Sequence, residues 1–397
     1  MTYNIEEMAV TESTPIQDAD LNRWLTQLRS NDVTLRSDAA HQLGKLADER
    51  AVSGLVEALA DSDEYVRKSA VTALRRIGGP AAMEGLRQAL ADRSEQVVLQ
   101  AVNGLRDMRD REAVEPLIRV LTRRERSLQL AATDALVRIG ADAVGPLMEA
   151  FKDRALRRRI GNQIWKILVD MGTKSIDPLL QMLTDENQYV RLTAISVLGR
   201  IGDQRVAAPL AHLFLDDPRM QEAVVTTLAR LEERKVIEPP GSHAADREIF
   251  LPKDVVDGFL GRPREEVTKI LTEALENPSP KVRRFALKSI YALFGDTALE
   301  HLVSALKDED IDVKRLAIKI LGKLRNKRVI DPLLQLILHD GEQVEEAAWN
   351  TLKMLTDLRE YDELRARVAK ERAGGRPAIR KYAKSKDVSP DWWREQD

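Results

Sequence analysis

The stretch DERAVSGLVEALADSDEYVRKSAVTALRRIG, residues 48–78, contains the pattern that decides the fold. In its second half, apolar or small side chains stand at Val66, Ala70, Leu74 and Ile77. This spacing is one stripe of a helix with 3.6 residues per turn. The upstream half predicts a second helix, and a polar turn separates the two. The stretch therefore predicts a helical hairpin, whose first helix we call helix A and whose second we call helix B.

The same hairpin recurs along the chain. If the first apolar residue of each helix B is its anchor, the anchors are Leu35, Val66, Val97, Leu128, Leu156, Val190, Met220, Leu251, Val282, Val313 and Val344. The steps between them are 31, 31, 31, 28, 34, 30, 31, 31, 31 and 31 residues. A fixed period of this length is typical of a solenoid, in which each unit buries its apolar face by stacking on its neighbours. The sequence thus predicts an all-α chain of about eleven hairpins.

Polar residues mark the start of most helices B. Eight of them have, three residues before the anchor, a side chain that accepts hydrogen bonds from free helical N–H groups. These predicted N-caps are Asp32, Asp63, Ser94, Asp153, Asn187, Asp217, Ser279 and Asp310. In three helices A a proline stands near the helix start, where a missing N–H is tolerated: Pro116, Pro178 and Pro332.

The repeated segments resemble the short HEAT-like repeat named after phycobilisome lyases, whose units read roughly DxxAVxxLxxAL…D..VRxxAAxALGxIG. Residues 48–78 nearly match this pattern, and the resemblance spans about Asp18 to Thr356. It implies a right-handed α-α superhelix, a HEAT-like solenoid, with helices B along its concave side. It also implies a structural ladder in which acids such as Asp61 and Asp92 bridge to the Arg or Lys that follows an anchor. Such repeats serve many roles, so the resemblance is specific for the fold alone.

We divide the chain into five segments. They are an acidic N-terminus at 1–17, repeats one to seven at 18–231, a degenerate eighth repeat with a loop at 232–263, repeats nine to eleven at 264–358, and a C-terminal helix with a basic tail at 359–397. In the eighth repeat Pro240 and Gly241 follow Pro239 directly and should end helix A. A plain linker between two lobes is the alternative interpretation.

The composition argues against several classes of site and location. Cysteine is absent, which excludes disulfides and thiolate metal sites, and no two of the five histidines lie within one helical turn of each other. We find no phosphate-binding loop or metalloprotease motif, and predict no catalytic, cofactor or metal residues. The first twenty residues lack basic side chains, and no apolar run reaches the length of a membrane span. We therefore expect a cytoplasmic protein without membrane contact.

One basic region departs from the average. The segment from Arg119 to Lys166 contains eleven basic and five acidic residues, which gives a local charge of +6 in a chain of net charge −2. The anchor spacing also breaks here, to 28 and then 34 residues. On helix B of the fifth repeat, Arg158, Asn162, Trp165 and Lys166 share one face. Trp165 stands where other repeats have a glycine: Gly44, Gly199 and Gly322.

A tryptophan among cations on a rigid helical face is typical of a protein-binding hot spot. We therefore predict partner-binding residues Arg138, Arg158, Asn162, Trp165 and Lys166. Two simpler interpretations stay open. Trp165 fills a gap left by the change in repeat length, and cations such as Arg138 and Lys166 interact with the negative end of their own helix.

These observations favour a non-catalytic scaffold or adaptor that binds a protein partner and contacts an acidic segment of that partner. The resemblance implies one alternative, a bilin lyase or bilin chaperone, although aromatic residues are only 4% of the chain. Visible absorbance after incubation with a bilin would test it. The other alternative is a nucleic-acid-binding HEAT-like protein, against which the near-neutral net charge argues.

Overall fold

The computed structural model describes residues 15–234 and 251–373. The chain forms two compact units, Met1–Asp203 and Gln204–Asp397. In the described ranges every regular element is helical and no strand occurs, so the predicted all-α class is confirmed. Most of the segment at 1–17, the loop proposed within 232–263 and the tail from residue 374 lie outside these ranges.

The first unit contains six hairpins, in which odd-numbered helices are helices A and even-numbered ones are helices B. Its helices are α1 (Pro15–Gln27), α2 (Val33–Leu46), α3 (Val52–Ala58), α4 (Glu64–Ile77), α5 (Gly79–Ala89), α6 (Glu95–Met108), α7 (Val114–Leu121), α8 (Arg126–Ile139), α9 (Val144–Lys152), α10 (Arg154–Asp170), α11 (Ile176–Gln181) and α12 (Gln188–Ile201). Each helix B packs against its own helix A and against the next helix B. The hairpins therefore stack as the 31-residue period predicted.

The second unit begins with the seventh repeat. Its helices are α13 (Ala207–Asp216), α14 (Gln221–Arg234), α15 (Lys253–Leu260), α16 (Arg264–Ala274), α17 (Pro280–Phe294), α18 (Leu299–Ser304), α19 (Ile311–Leu324), α20 (Ile330–His339), α21 (Glu342–Leu355) and α22 (Leu358–Ala373). Helices α14, α17, α19 and α21 are helices B. Helix α22 packs on α20 and α21, with Val368 buried, and closes this end of the stack.

The apolar stripe found in the sequence forms the core of each hairpin. Val66, Ala70 and Leu74 of α4 are fully buried. Close packing of successive helices B depends on small residues at the contact. A Cβ atom added to Gly44 would lie 2.7 Å from the Cα of Ala73, so α2 and α4 approach as closely as backbones allow. The sequence pattern thus fixes both the buried face and the spacing of the stack.

Most of the predicted N-caps are confirmed by hydrogen bonds. Six side chains accept main-chain N–H groups at the start of their helix: Asp32, Asp63, Ser94, Asp153, Asn187 and Asp310. Two predicted caps differ. Ser279 precedes α17 and Pro280 takes the first helical position, but the serine makes no side-chain cap bond. Asp217 accepts the N–H of Arg219 in a turn, because α14 begins only at Gln221.

Helix α15 does not take the place that its spacing in the sequence suggested. Its anchor keeps the 31-residue period, which predicted another helix B, but α15 packs mainly against α13, a helix A. Helix α14 instead packs directly against α17, where Gln221 accepts a hydrogen bond from Asn277 at 3.1 Å. In the row of successively packed helices B, α14 of the seventh repeat is therefore followed directly by α17 of the ninth, and α15 is not part of the row.

An aromatic cluster explains this placement. Phe214 of α13, Phe259 of α15 and Phe285 of α17 pack together, with 4.9 Å between the ring centroids of Phe214 and Phe285. Gly258 lets α15 approach α13, since a Cβ there would lie 3.0 Å from the carbonyl oxygen of Ala208. Burial of three aromatic rings outweighs the continuation of the helix-B row, because large aromatic side chains dominate core energetics.

Candidate functional site

The candidate site lies on the surface formed by helices α8, α10 and α12. We number places along a helix B from its anchor, so that Arg158 is at place 2 of α10 and Trp165 at place 9. Helix α10 packs against both α8 and α12. Arg158, Asn162 and Lys166 are exposed, and Trp165 is half-buried. The structure therefore brings these four predicted residues to one accessible helix face.

Trp165 connects α10 to the next helix B. Its indole N–H donates to the hydroxyl oxygen of Ser196 on α12 at 3.1 Å. Part of the ring is thus fixed in the contact between the two helices, and the rest remains accessible. The hydrogen bond satisfies the polar atom of the indole, as burial of a tryptophan requires.

Place 9 has a bridging role in other repeats as well. Arg75 on α4 forms an ion pair with Asp107 on α6 at 2.6 Å, and Arg106 on α6 pairs with Asp134 on α8 at 3.3 Å. The sequence comparison with glycines alone missed these two arginines. A long side chain at place 9 reaches the following helix B. Trp165 makes this connection through a hydrogen bond, where Arg75 and Arg106 make it through ion pairs.

Arg138 differs from the other predicted residues, although it too is exposed. Its guanidinium lies 3.4 Å from the carboxylate of Asp134, the same acid that pairs with Arg106. By contrast, neither Arg158 nor Lys166 has an ion pair or hydrogen bond to its side chain within residues 15–234 and 251–373. Charge is therefore satisfied around Arg138 and left available on α10.

Two exposed leucines extend the surface and were missed by reasoning from charge. Leu130 of α8 is 55% exposed and Leu192 of α12 is 37% exposed. Both stand at place 2 of their helices, as Arg158 does on α10. The sequence did contain a signal for them, because both are leucines at a place outside the buried apolar stripe. Leu130, Arg158 and Leu192 therefore make a row of apolar, basic and apolar side chains across three successive helices.

The predicted ladder between repeats is present and is structural. The guanidinium of Arg36 lies 2.7 Å from Asp61 and that of Arg67 lies 2.7 Å from Asp92, with both side chains of the second pair almost fully buried. In the second unit Arg283 pairs with Asp308 at 2.8 Å and Lys314 with Asp340 at 2.7 Å. The hydrogen bond from Arg36 lowers the pKa of Asp61. These pairs join successive hairpins and leave no charge for a partner.

The ladder changes around α10. Asp185 pairs with Lys152 at 3.1 Å and not with Arg157, the residue after the anchor. Helix α10 has 17 residues where α8 and α12 have 14, so Asp185 comes three residues later in the chain than the ladder requires. Arg157 stacks instead on the ring of Tyr189, at 3.9 Å from its centroid, and donates to the carbonyl oxygen of Phe151. A cation–π contact thus replaces the ion pair where the repeat length changes.

The basic region divides into used and available cations. Arg123, Arg157 and Arg159 donate to main-chain carbonyl oxygens, while Arg138 and Lys152 pair with acids. In the part of the chain that the structure describes, six basic side chains of this region have no partner: Arg119, Arg124, Arg126, Arg154, Arg158 and Lys166. Almost half of the local charge is therefore structural, and the remainder is concentrated near α8 and α10.

A shallow cavity of about 280 Å³ lies between α5 and α7, lined by Arg87, Leu90, Pro116, Arg119 and Arg123 among others. In the described residues, no group of three or more His, Asp or Glu side chains is arranged to hold a metal ion. None of the described helices has the length and apolar character needed to cross a bilayer.

The solved structures that are similar to this chain include the following two. The complex of CpcE and CpcF of phycocyanin lyase from Nostoc sp. PCC7120 is 22% identical over 60% of this chain and 95% of that chain, with a TM-score of 0.31. Kap121p is 14% identical over 90% of this chain and 48% of that chain, with a TM-score of 0.38. Among curated proteins no match is found.

The family comparison agrees with the repeats in the structure. The model of HEAT repeats matches at residues 21–103, 83–164, 148–229 and 299–382, which together cover well over half of the chain. These ranges include the hairpins of the first unit and the last hairpins of the second. The chain belongs to the family of HEAT-repeat proteins.

Proposed function

We propose that this chain is a non-catalytic scaffold that binds a protein partner, and that an acidic segment of the partner lies across α8, α10 and α12. One observation carries the proposal. Arg158 and Lys166, whose side chains have no partner among the residues that the structure describes, flank the half-buried Trp165 on a rigid helix. Exposed Leu130 and Leu192 stand on the two neighbouring helices. Tryptophan and arginine are among the side chains in which protein-binding hot spots are enriched.

The physical form of a repeat array supports the same role. Stacked hairpins offer an extended surface made from many repeats, and such surfaces suit the binding of another macromolecule. The candidate residues lie on helices and not on loops, so little backbone freedom is lost on binding. Asn162 adds a hydrogen-bond donor and acceptor between Arg158 and Trp165. The surface can therefore contact carboxylates, main-chain groups and apolar side chains of one segment.

The test compares proteins captured from the native cell by three forms of the chain. They are the wild type, the double variant Arg158→Glu with Lys166→Glu, and a control, Arg315→Glu with Lys323→Glu, at the same places of α19. We expect a defined set of proteins, identified by mass spectrometry, to be lost with the first variant and kept with the control. Purified partners should bind the first variant at least about tenfold more weakly, since each opposed charge pair is worth a sizeable part of the binding energy.

Circular dichroism checks that all three forms stay helical, because surface substitutions usually change stability by less than about 0.5 kcal/mol. Equal loss with both double variants would assign binding to a diffuse basic stripe. Retention of the same proteins by the first variant would overturn the proposed site.

A further inference from the structure

The turn between α7 and α8, residues 122–125, carries a cation at a place where four other repeats have an acid. In those four repeats an acid stands five residues before the anchor and an N-cap stands three before it. The pairs are Asp61 with Asp63, Asp92 with Ser94, Asp185 with Asn187, and Asp308 with Asp310. In this turn the two places hold Arg123 and Glu125. Glu125 makes no side-chain cap bond to α8.

The structure uses only one of the three cations in and beside this turn. The guanidinium of Arg123 donates to the carbonyl oxygens of Leu90 and Asp92, at 3.1 and 3.0 Å, and so ties the turn to the preceding one. Arg124 and Arg126 are exposed and have no side-chain partner in the described ranges. Both lie at the positive end of the α8 dipole, where a cation is unfavourable. Their position therefore weakens the fold locally, and packing does not explain it.

The turn is continuous with the surface on α10. Arg159, in the first half of α10, donates a hydrogen bond to the carbonyl oxygen of Thr122, so that half of α10 lies against the turn. Arg154 is exposed without a partner in the described part of the chain and lies one helical turn before Arg158. Arg124, Arg126, Arg154 and Arg158 thus lie within five residues of Thr122 or Arg159 in the chain, and none of their side chains has a partner within the described ranges.

We propose that the bound segment of the partner is bipartite, an inference that rests on the proposed function above. Its apolar side chains contact Trp165, Leu130 and Leu192. Its run of carboxylates continues over the α7–α8 turn and pairs with Arg124, Arg126 and Arg154. Guanidinium groups bind carboxylates through two parallel hydrogen bonds, and these three suit a run of aspartates or glutamates.

The surface favours an acidic peptide over a nucleic acid. Single-stranded nucleic acids bind along grooves that combine cations with several stacking aromatic rings. Here Trp165 is half-buried, and the ring of Tyr189, which is 44% exposed, is already stacked by Arg157. The exposed side chains level with Arg158 on the two neighbouring helices are Leu130 and Leu192. Leucines contact apolar peptide side chains and provide no ring to stack on a base. The partner chemistry is therefore a segment with adjacent acidic and apolar stretches.

The test uses the full chain and a fluorescein-labelled peptide in which a run of glutamates precedes a leucine-containing stretch. A second peptide has glutamine in place of every glutamate, and oligo(dT) of similar length is the nucleic-acid probe. The variants are Arg124→Glu with Arg126→Glu for the turn, and Arg158→Glu with Lys166→Glu for α10. The control is Arg365→Glu with Lys370→Glu on α22, two exposed cations that have no partner within the described residues.

We expect the turn variant to bind the glutamate peptide at least about tenfold more weakly than wild type, and the control to bind it as wild type does. Affinity of wild type for the glutamate peptide should exceed that for the glutamine peptide, and the difference should shrink as salt screens the charges. The turn variant should also keep or raise the thermal midpoint of unfolding, because it removes cations from the start of α8.

The two proposals fail in different ways. Unchanged binding by the turn variant, with loss for the α10 variant, would overturn the bipartite segment and leave the proposed function standing. Unchanged binding by both variants, or no binding of the peptide by wild type, would overturn both. Tighter binding of oligo(dT) than of the peptide would overturn the choice of a protein segment.

Discussion

The repeat array departs from regularity in two places, one in each unit, and the two departures have opposite consequences. Around α10 the sequence spacing breaks to 28 and 34 residues, yet α10 still packs against α9, α8 and α12 as a helix B should. Around α15 the spacing stays in phase, yet the helix leaves the row and packs on α13. Sequence period alone therefore does not decide where a helix lies. The side chains available for burial decide it.

The lengths and cores of the two helices explain the contrast. Helix α10 has 17 residues and a complete stripe that includes Ile160, Ile164 and Ile167, all buried. Helix α15 has 8 residues and buries chiefly Val255 and Phe259. A short helix with one large aromatic side chain gains most by joining the cluster around Phe214. A long helix with a full stripe gains most by staying in the row.

The largest effect should come from the aromatic cluster. Phe214 is fully buried, so Phe214→Ala should destabilise the second unit by about 3–5 kcal/mol. Trp165→Ala in the first unit should cost only about 1–2 kcal/mol, because the indole is half-buried and makes one hydrogen bond. Hydrogen exchange read by mass spectrometry reports α13, α15 and α17 separately from α10. An equal loss of hydrogen-exchange protection in both variants would contradict the expected difference between the buried aromatic cluster and the half-buried Trp165.

The next effect concerns the ladder. Arg67→Ala leaves the buried Asp92 without its partner and should cost about 3 kcal/mol. Arg157→Ala removes a cation–π contact and hydrogen bonds to carbonyl groups, and should cost about 1–2 kcal/mol. Thermal unfolding followed by circular dichroism measures both. If Arg157→Ala lost more stability than Arg67→Ala, the contacts of Arg157 with Tyr189 and the carbonyl groups would stabilise the hairpins more than the ion pair does.

A smaller effect should appear with acid. The folded pKa of Asp61 lies below its unfolded value of about 3.9, chiefly because Arg36 donates to it. A depressed carboxyl pKa gives stability that is complete above about pH 4 and is lost as the pH falls through the folded pKa. Urea unfolding midpoints should therefore stay level from about pH 7 to 5 and fall below about pH 4.

The acid effect also separates the two kinds of turn. Arg36→Gln should flatten the fall in unfolding midpoint, because Asp61 loses the hydrogen bond that lowers its pKa. Arg123→Gln should leave the profile unchanged, since this side chain donates to carbonyl oxygens and to no carboxylate. A profile altered equally by both substitutions would contradict this assignment.

The smallest effect tests the missing cap. Glu125 stands before α8 without a side-chain bond to it. Glu125→Ser should supply an acceptor for a free N–H group and stabilise the first unit by about 1 kcal/mol. The control is Asp63→Ala, which removes an existing cap from α4 and should destabilise by a similar amount. If Glu125→Ser has no effect on the unfolding midpoint, the turn before α8 holds its helix in another way.

The sequence was sufficient for the repeats, their buried stripe and most caps, because these depend on local spacing and on residue type. Val66 and Asp63 could be assigned from their own hairpin. The position of α15 could not, since it results from rings on three helices that are far apart in the chain. At the candidate site, the charge and Trp165 were visible in the sequence. The partners of Arg106, Arg123 and Trp165 were not, because each reaches a neighbouring repeat.

The paired change in length around α10 has a consequence for how this chain can be rebuilt. In most of the first unit one hairpin is an exchangeable module, because the steps of 31 residues return each contact to its equivalent place. The steps of 28 and 34 residues return to that frame only together. The contacts from Lys152 to Asp185 and from Arg157 to Tyr189 also join the fifth hairpin to the sixth. Helix α9 begins at Val144 and α11 at Ile176, which is close to the usual period, so the short turn before α10 and the extra length of α10 belong to one hairpin. Chimaeras and gene duplications must therefore cut between hairpins and move α9 together with α10.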